Sequence, residues 1–258
     1  KFGGKSFYSC RVAHDEIGDY FLQDLKDAGI DTNLSAVREK GTSGTCLVLV
    51  TPDAERTMNT FLGISSEVCF ADVNEEALIN SDYFYIEGYL VTSPSAKDAV
   101  IKSKAIAEKN GVKTAISLSD PNMVKFFHQG LLEMIGGGVD LLFCNEAEAL
   151  GWAHTESLPE AILELKKIAK QFVITLGSKG ALLFDGKQEI NVPAFPVKAV
   201  DSNGAGDIFA GAFLYGITNG LDFATAGRLA SHSAATLITH FGARLPKDSY
   251  APLLSIVG

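Results

Sequence analysis

The chain has 258 residues, 47% of them apolar. This length and composition are enough to bury one sizeable core and favour one large domain, with or without a small appendage, over two full domains. Its formal net charge of −9 argues against a general nucleic-acid binder, because contact with a phosphate backbone needs a positive surface. The four cysteines form no Cys-x-x-Cys pair and no apolar run reaches transmembrane length, so we expect a cytoplasmic protein without a membrane partner, a zinc knuckle or a disulfide scaffold.

The early part of the chain predicts a β-hairpin within residues 41–63. Thr45–Thr51 has the composition of a strand, Pro52–Glu55 predicts a turn, and Arg56–Phe61 alternates polar and apolar residues. The hairpin lies outside the helical pattern of the remaining sequence. We therefore expect a small β appendage on a single α/β domain that covers residues 1–258.

From residue 83 onward, short apolar runs alternate with segments of helical period, a pattern typical of a mostly parallel sheet covered by helices. One helix is predicted between Ser93 and Gly111, and a second begins at Ser157 with an apolar stripe that reaches Ala169. The short connections suit βαβ units. The predicted strands are Tyr83–Ile86, Thr114–Leu118, Leu141–Cys144 and Phe172–Leu176.

Asn145 and Glu148 form the first of three polar segments at the ends of predicted strands. They follow Leu141–Cys144 directly, and open α/β sheets bind ligands at the carboxyl ends of their strands. An amide and a carboxylate three residues apart on a helix could hold hydrated Mg²⁺ through water. Taken alone, the pattern is more often a helix cap followed by a solvated acid.

The second polar segment, Thr175–Gly180, lies at the end of the predicted strand Phe172–Leu176. Its glycines and hydroxyls could contact the phosphates or the ribose of a nucleotide. For the segment in isolation, a β-turn that joins two strands is the preferred interpretation.

The third polar segment, Asp201–Asp207, reads Asp-Ser-Asn-Gly-Ala-Gly-Asp and opens a predicted helix. Its small residues would let a ligand approach the backbone, whose free N–H groups and positive helix end favour an anion. Asp207 would then lie in the first turn beside that anion. A tight glycine turn whose acid only complements the helix dipole fits the short pattern equally well.

Two common nucleotide-binding patterns, the P-loop and the Gly-x-Gly-x-x-Gly fingerprint, do not occur in the sequence. This absence argues against an NAD-dependent oxidoreductase on a doubly wound sheet. The five histidines show no metal-ligand or triad spacing, and Trp152 is interpreted as a packing residue.

Taken together and in this order, the three segments around Glu148, Gly180 and Asp207 resemble the ribokinase, or PfkB, family of carbohydrate and nucleoside kinases. The similarity covers nearly the whole chain. Arg11–Gly18 resembles the family's early Gly-x-Asp-x-x-Gly turn, and His240–Arg244 resembles the segment that closes its nucleotide site. The resemblance implies a ribokinase-like three-layer α/β/α fold with a mostly parallel sheet, in which the hairpin is a substrate lid.

The resemblance also implies roles for individual residues. Asp207 would be the general base that activates a substrate hydroxyl, and Asn145 and Glu148 would organise Mg²⁺ and phosphate through water. Four backbone N–H groups would form the anion hole for the transferring phosphoryl group, those of Asn203, Gly204, Ala205 and Gly206. Four residues would line the nucleotide site, namely Thr175, Gly177, Ser178 and Gly180.

The implied activity is ATP-dependent phosphorylation of a hydroxymethyl group on a sugar or nucleoside, with Mg²⁺ and with K⁺ as a further candidate cation. The chemistry agrees, because in-line phosphoryl transfer needs positioning and charge stabilisation more than covalent catalysis. The alternative is a catalytically silent module that binds a sugar or nucleotide, whose mark would be loss of the base or of the anion-hole glycines. The substrate stays open, and an exposed lid hairpin predicts a homodimer through edge-to-edge pairing.

The front of the chain departs from the family pattern. The family begins with a strand that carries a substrate-binding acid and continues to a Gly-Gly-x-x-x-Asn motif, and neither occurs before Lys1–Lys5. We therefore expect these elements upstream of residue 1, so that the sequence lacks the start of the natural chain.

Overall fold

The computed structural model describes residues 2–33, 38–52 and 56–256. The strands are β1 Phe7–Tyr8, β2 Asp31–Thr32, β3 Thr45–Val50, β4 Arg56–Phe61, β5 Tyr83–Glu87, β6 Lys113–Ser117, β7 Val139–Asn145, β8 Ala169–Thr175, β9 Ala181–Phe184 and β10 Glu189–Val192. The helices are α1 Glu16–Asp27, α2 Glu75–Ile79, α3 Pro94–Lys109, α4 Pro121–Ile135, α5 Glu146–Ala153, α6 Leu158–Leu165, α7 Ala205–Thr218, α8 Phe223–Leu237 and α9 Tyr250–Leu254.

The main sheet contains six strands in the order β10-β9-β8-β7-β6-β5. Strands β5 to β8 run parallel, and β9 and β10 add an antiparallel edge. The four parallel strands are those predicted from the sequence, with bounds shifted by a few residues. Helices α3 to α6 connect them, as parallel neighbours require a crossover.

Strand β7 shows why the fold has three layers. Successive side chains of a strand point to opposite faces of its sheet. Leu142 and Cys144 pack with α3 to α6 on one face, whereas Leu141 and Phe143 pack with α7 and α8 on the other. All four residues are buried, which explains the continuous apolar run in the sequence. The predicted three-layer α/β arrangement is confirmed.

Helix boundaries follow local capping and strand pairing. The helix predicted between residues 93 and 111 is confirmed as α3, and its cap Ser93 accepts a hydrogen bond from the Ala96 N–H. The second helix was predicted to carry its apolar stripe to Ala169, and this is wrong, because α6 ends at Leu165. Ala169 instead begins β8 and pairs with β7. Sheet hydrogen bonding therefore overrides the helical period there.

The predicted hairpin is confirmed as an antiparallel pair of strands, β3 and β4, with register from Thr45 opposite Phe61 to Val50 opposite Arg56. It forms a two-stranded sheet of its own, separate from the main sheet. The predicted turn falls partly on residues 53–55, which lie outside the described residues. Strands β1 and β2 form a third sheet of two parallel strands.

Two further expectations concern cysteines and membranes. All four cysteines are free thiols. In the part of the chain that the structure describes, every helix is too short or too polar to cross a membrane.

Candidate active site

The carboxyl ends of the parallel strands bring two of the three polar segments side by side. Asn145 ends β7, Thr175 ends β8, and the two residues are paired across the sheet. The Thr175 hydroxyl donates to the Cys144 carbonyl at 3.5 Å. The third segment lies at the same edge. Asp207 on α7 is close enough to Glu87, the last residue of β5, for its charge to raise the pKa of Glu87.

Helix α7 begins in a glycine turn that only glycine can make. Gly204 caps the helix with φ +77°, a left-handed conformation that side chains rarely adopt. A Cβ at this position would lie 2.8 Å from the Ala243 carbonyl oxygen and 2.9 Å from its Cα. Gly206, two residues later, has open space on its Cβ side, and both Gly206 and Asp207 are exposed. Gly204 is therefore required by the backbone conformation and by close packing, whereas Gly206 leaves open space beside the start of α7.

Asp201 holds this turn in place. Its carboxylate is buried and accepts hydrogen bonds from the N–H groups of Asn203 and Gly242, each at 2.8 Å. The turn before α7 is thereby tied to the segment that follows α8. Sequence reasoning assigned no role to Asp201, whose burial and partners only the folded chain reveals.

The predicted anion hole is only partly open in this conformation. The Asn203 N–H donates to Asp201, and the Ala205 N–H donates to the Ser202 carbonyl at 3.3 Å. Within the described residues, the N–H groups of Gly204 and Gly206 donate to no acceptor. These two groups at the positive end of α7 therefore have capacity for an anion.

Substitution of Gly204 by alanine should destabilise the fold, because the left-handed conformation alone costs a side chain about 1–2 kcal/mol and the contact with Ala243 adds to it. The free energy of unfolding in urea measures the loss. Gly220 is a matched control, since it has φ +84° but open space around its Cβ position. Equal losses for Gly204→Ala and Gly220→Ala would contradict the close packing described here.

Glu87, Tyr8 and Tyr85 lie near Asp207, close enough for its charge to act on them. The Ser119 hydroxyl donates to the Glu87 carboxylate at 3.0 Å. Burial and the neighbouring charge of Asp207 raise the pKa of Glu87 above its usual range. Burial raises the pKa of Tyr8 to about 12, with Glu87 and Asp207 among the contributing charges, and the pKa of Tyr85 is raised for the same reasons. The side chains of these two tyrosines, Glu87 and Asp207 therefore form one cluster of titratable groups at the carboxyl edge of the sheet.

Sequence reasoning missed this set. Glu87 directly follows the predicted strand Tyr83–Ile86, just as Asn145 follows Leu141–Cys144, so its position was the signal that could have found it. Tyr8 lies about 80 residues away in sequence from Glu87, and no local pattern places the two side chains together. Ser119 has φ +69°, an uncommon backbone conformation for a non-glycine residue, which becomes visible only in the structure.

Asn145 and Glu148 form a closed capping box at the start of α5. The Glu148 N–H donates to the Asn145 side-chain oxygen at 2.8 Å, and the Asn145 N–H donates to the Glu148 carboxylate at 3.0 Å. The helix-cap interpretation is thus confirmed, whereas its solvated acid is wrong, because Glu148 is only 4% exposed. Helix α5 packs into the core through Ala149 and Trp152, and this docking buries its first turn.

Burial also makes Glu148 unusual electrostatically. It raises the pKa of this carboxyl to about 7, with smaller contributions from the charges of Asp120 and Glu87. Within the described ranges, no three His, Cys, Asp or Glu side chains are arranged to hold a metal by themselves. A hydrated divalent cation would nevertheless fit here, because it would neutralise carboxylates that repel one another.

The segment Thr175–Gly180 is a turn between antiparallel strands β8 and β9. The Leu176 N–H donates to the Gly180 carbonyl at 2.8 Å. Gly180 has φ +98°, and a Cβ there would overlap the Val192 carbonyl oxygen. The β-turn interpretation is confirmed, and the contact of Gly177 and Ser178 with a nucleotide stays a prediction. Both residues are exposed, so a ligand can reach them.

Comparison with known proteins places the chain among sugar and nucleoside kinases. A family model described as pfkB family carbohydrate kinase matches residues 1–249. A sugar kinase of Archaeoglobus fulgidus, described as uncharacterized, is 27% identical over 254 residues, which are 96% of this chain and 98% of that protein. Adenosine kinase from Sinorhizobium meliloti superposes with TM-score 0.94 and 32% identity, covering 100% of this chain and 79% of the other.

A third comparison is with an Escherichia coli protein solved in complex with ATP and Mg²⁺. It superposes with TM-score 0.88 at 22% identity, covering 99% of this chain and 84% of the other. At this identity the likeness concerns the fold alone.

The fold is a ribokinase-like α/β/α arrangement around a mixed, mostly parallel sheet, with acidic side chains and a glycine turn at the carboxyl edge of that sheet. This combination is typical of a small-molecule phosphotransferase. The chain belongs to the PfkB family of carbohydrate kinases. Its reaction class is phosphotransfer to an alcohol group. The predicted family and fold are confirmed, and the NAD-dependent oxidoreductase is discarded.

Proposed function

We propose that this protein transfers the γ-phosphoryl group of ATP to a hydroxymethyl group of a sugar or nucleoside, with Asp207 as the general base. The supporting observation is the position of Asp207. It lies exposed in the first turn of α7, two residues after the capping Gly204, and its charge reaches Glu87 at the end of β5. A base and an anion-binding helix end therefore face one pocket.

The proposed step needs one proton acceptor and one set of donors. Asp207 accepts the proton of the substrate hydroxyl as its oxygen attacks the γ-phosphorus, and ADP leaves. The N–H groups of Gly204 and Gly206 donate to the phosphoryl oxygens, which gather negative charge in the transition state. Asn203 and Ala205 complete the turn, and their N–H groups take part in the anion hole only if their present hydrogen bonds loosen.

Nucleotide and metal positions follow from the two neighbouring strand ends. Thr175, Gly177, Ser178 and Gly180 line the nucleotide. Bound Mg²⁺ supplies charge neutralisation for the phosphates. Asn145 and Glu148 hold its water ligands, and the raised pKa of Glu148 fits a carboxylate that needs a cation to stay ionised. The Escherichia coli fold neighbour was solved with ATP and Mg²⁺, which supports these two ligands for the proposed reaction. K⁺ is a further candidate cation.

The acceptor is bound in the pocket of Glu87, Tyr8 and Tyr85 beside Asp207. Glu87 and Tyr85 are half-buried and Tyr8 is 48% exposed, so a ligand can reach their polar atoms. Carboxylates and phenolic hydroxyls recognise neighbouring hydroxyl groups by directional hydrogen bonds, as sugars and the ribose of nucleosides present them. The two relatives point to different acceptors, a sugar for one and adenosine for the other. The acceptor is therefore proposed only as a molecule with neighbouring hydroxyl groups, either a sugar or a nucleoside.

The hairpin β3–β4 is proposed to be both a lid and a dimer contact. Leu47, Leu49 and Phe61 share one face by register, and their side chains are 63%, 54% and 56% exposed. An isolated two-stranded sheet with an apolar face is marginally stable in water. The second face would cover the acceptor pocket and exclude water.

The dimer contact through the apolar face of the hairpin can be tested by sedimentation equilibrium. The parent protein should be a dimer, and Leu47→Asp, which places a charge on that face, should dissociate it. A monomeric parent protein would contradict the contact.

An ADP-release assay with and without Mg²⁺ and K⁺ tests the activity. Ribose, fructose, adenosine, other nucleosides and 2-keto-3-deoxygluconate are the acceptors to compare. We expect ADP release that depends on Mg²⁺ and on one class of acceptor. The same background rate with every acceptor would favour a silent binding module.

Stability should depend jointly on pH and Mg²⁺ through Glu148. In the folded protein the pKa of Glu148 is about 7, above the ordinary 4.5. The contribution of its protonated form to the free energy of unfolding is therefore fully present below about pH 4.5 and is lost as pH rises through about 7. Mg²⁺ should therefore raise the melting temperature more at about pH 8 than at about pH 6, where protons compete with the cation.

The variant Glu148→Gln provides the control for this dependence. A glutamine oxygen can still accept from the Asn145 N–H, so this bond of the helix cap is kept, although the bond from the Asn145 side-chain amide to the second carboxylate oxygen is lost with the titrating group. The difference in melting temperature between the two pH values should disappear in this variant. A Mg²⁺ effect that is independent of pH in the parent protein would contradict the assignment of Glu148.

A further inference from the structure

A cavity of about 620 Å³ lies at the amino edge of the main sheet, opposite the candidate active site. It forms where β6, β7 and β8 begin and where antiparallel β9 ends, so it is separated from the catalytic edge by the length of the strands. Its volume is in the range of small-molecule sites. The charged and aromatic lining residues are Lys113, Asp140, Lys166, Lys170, Phe184 and Asp185.

The lining has three ammonium groups and two carboxylates, on a chain whose formal net charge is −9. Both carboxylates are already engaged. Asp140 accepts from Lys170 Nζ and from the Thr114 N–H, each at 2.8 Å. Asp185 accepts from two backbone N–H groups of its own turn, also at 2.8 Å. Glu189 lies just outside the lining and pairs with Lys166, so three ammonium groups face three carboxylates and a bound anion has to replace existing carboxylate partners.

Lys113 and Lys166 are held near the cavity by aromatic rings. Lys166 Nζ lies 4.6 Å from the ring centre of Phe184, and Lys113 Nζ lies 5.5 Å from that of Tyr83. Phe184 is itself stacked on Phe172, which fixes its plane. In the described part of the chain, no carboxylate forms an ion pair with Lys113.

The partners of the other two lysines are replaceable. Lys166 pairs with Glu189 at 2.8 Å, and both side chains are about a third or more exposed. Lys170 is 78% exposed in its pair with Asp140. Exposed ion pairs contribute only about 0–1 kcal/mol, so both ammonium groups can turn to a bound anion at little cost. Lysine is well suited to phosphate, which it binds as a mobile point charge.

We propose that this cavity binds a small phosphate dianion through Lys113, Lys166 and Lys170, at a site separate from the kinase active site. The cavity is open to solvent, and its size and small number of cations fit one phosphate group or one organic phosphate rather than a polyanion. The proposal does not depend on the kinase mechanism given above. Free phosphate and a sugar phosphate would present the same group, and experiment can separate them.

Lysine acetylation followed by mass spectrometry reads out each lysine separately. The probes are ribose 5-phosphate, inorganic phosphate and unphosphorylated ribose. We expect the two phosphates, or ribose 5-phosphate alone, to slow acetylation of Lys113, Lys166 and Lys170. Equal protection by both assigns free phosphate as the ligand, and protection by ribose 5-phosphate alone assigns a sugar phosphate. No protection at these lysines, or the same protection by ribose, would overturn the site.

Charge-removing variants test whether the lysines act together. Lys166→Gln should raise the concentration that half-protects Lys113 and Lys170 by about tenfold, the usual effect of losing one charge-assisted contact. Lys113→Gln should do the same for the other two, and it keeps the test valid if one variant folds poorly. Lys187→Gln is the matched control, because Lys187 is exposed nearby but does not line the cavity. Unchanged protection in both cavity variants would overturn the proposal.

Discussion

Replacement of Asp207 by asparagine is expected to lower turnover by about 10²–10⁴-fold, the usual contribution of a positioned general base. Asparagine has the same shape but cannot accept the substrate proton at neutral pH. The side chain is exposed at the start of α7, outside the hydrophobic core, so the fold should survive. Steady-state kcat with the best acceptor, together with the melting temperature, measures both effects.

Asp222→Asn is the matched control for this variant. Asp222 caps the next helix, α8, and accepts a hydrogen bond from the Thr225 N–H, a role that asparagine also fills. The control should therefore retain full activity and stability. Phosphorylation by Asp207→Asn at the parental rate would contradict the proposed role of Asp207 as the base. Unfolding of that variant would show that Asp207 has a structural role instead of a catalytic one.

Gly206→Ala is expected to lower kcat/KM on the order of 10–100-fold while leaving the protein as stable as before or more stable. A Cβ at Gly206 meets no protein atom within 4 Å, and alanine in a helix gains up to about 1 kcal/mol over glycine. The added methyl group would project where the phosphoryl group approaches, and a displacement of about 1 Å can cost 10²-fold in rate.

Gly211→Ala separates the two effects. Gly211 lies on the same helix, is exposed, and also has open space around its Cβ position. This control should gain stability and keep its activity. If Gly206→Ala were as active as Gly211→Ala, the glycine would serve only the turn, and the anion-hole assignment would be wrong.

Local sequence patterns predicted the fold well because the sheet is buried on both faces. Short continuous apolar runs such as Leu141–Cys144, bounded by polar residues, favour interior strands, and the helices between them begin at recognisable caps such as Ser93. Ala169 shows the limit of that reasoning. Its apolar character suits a helix stripe or a strand equally, and only pairing with β7 decides between them.

The candidate site was predictable where chemistry and backbone geometry share one segment. Gly204 and Asp207 belong to a single turn, so their spacing carried the information. Glu87 and Tyr8 come from different sheets, and their meeting is a product of tertiary packing. Burial of Glu148 likewise depends on how α5 docks, which is why a helix-cap pattern could not reveal its raised pKa.

The fate of the γ-phosphoryl group in a single turnover is the sharpest test of whether this protein phosphorylates a hydroxyl acceptor through Asp207. The protein in excess is mixed with Mg²⁺, an acceptor, and ATP radiolabelled in the γ-phosphate, and the products are separated. We predict that the label appears on a hydroxyl of the sugar or nucleoside, and that Asp207→Asn slows this transfer while Asp222→Asn does not. Label that appears only as inorganic phosphate, at a rate independent of acceptor and of Asp207, would contradict it.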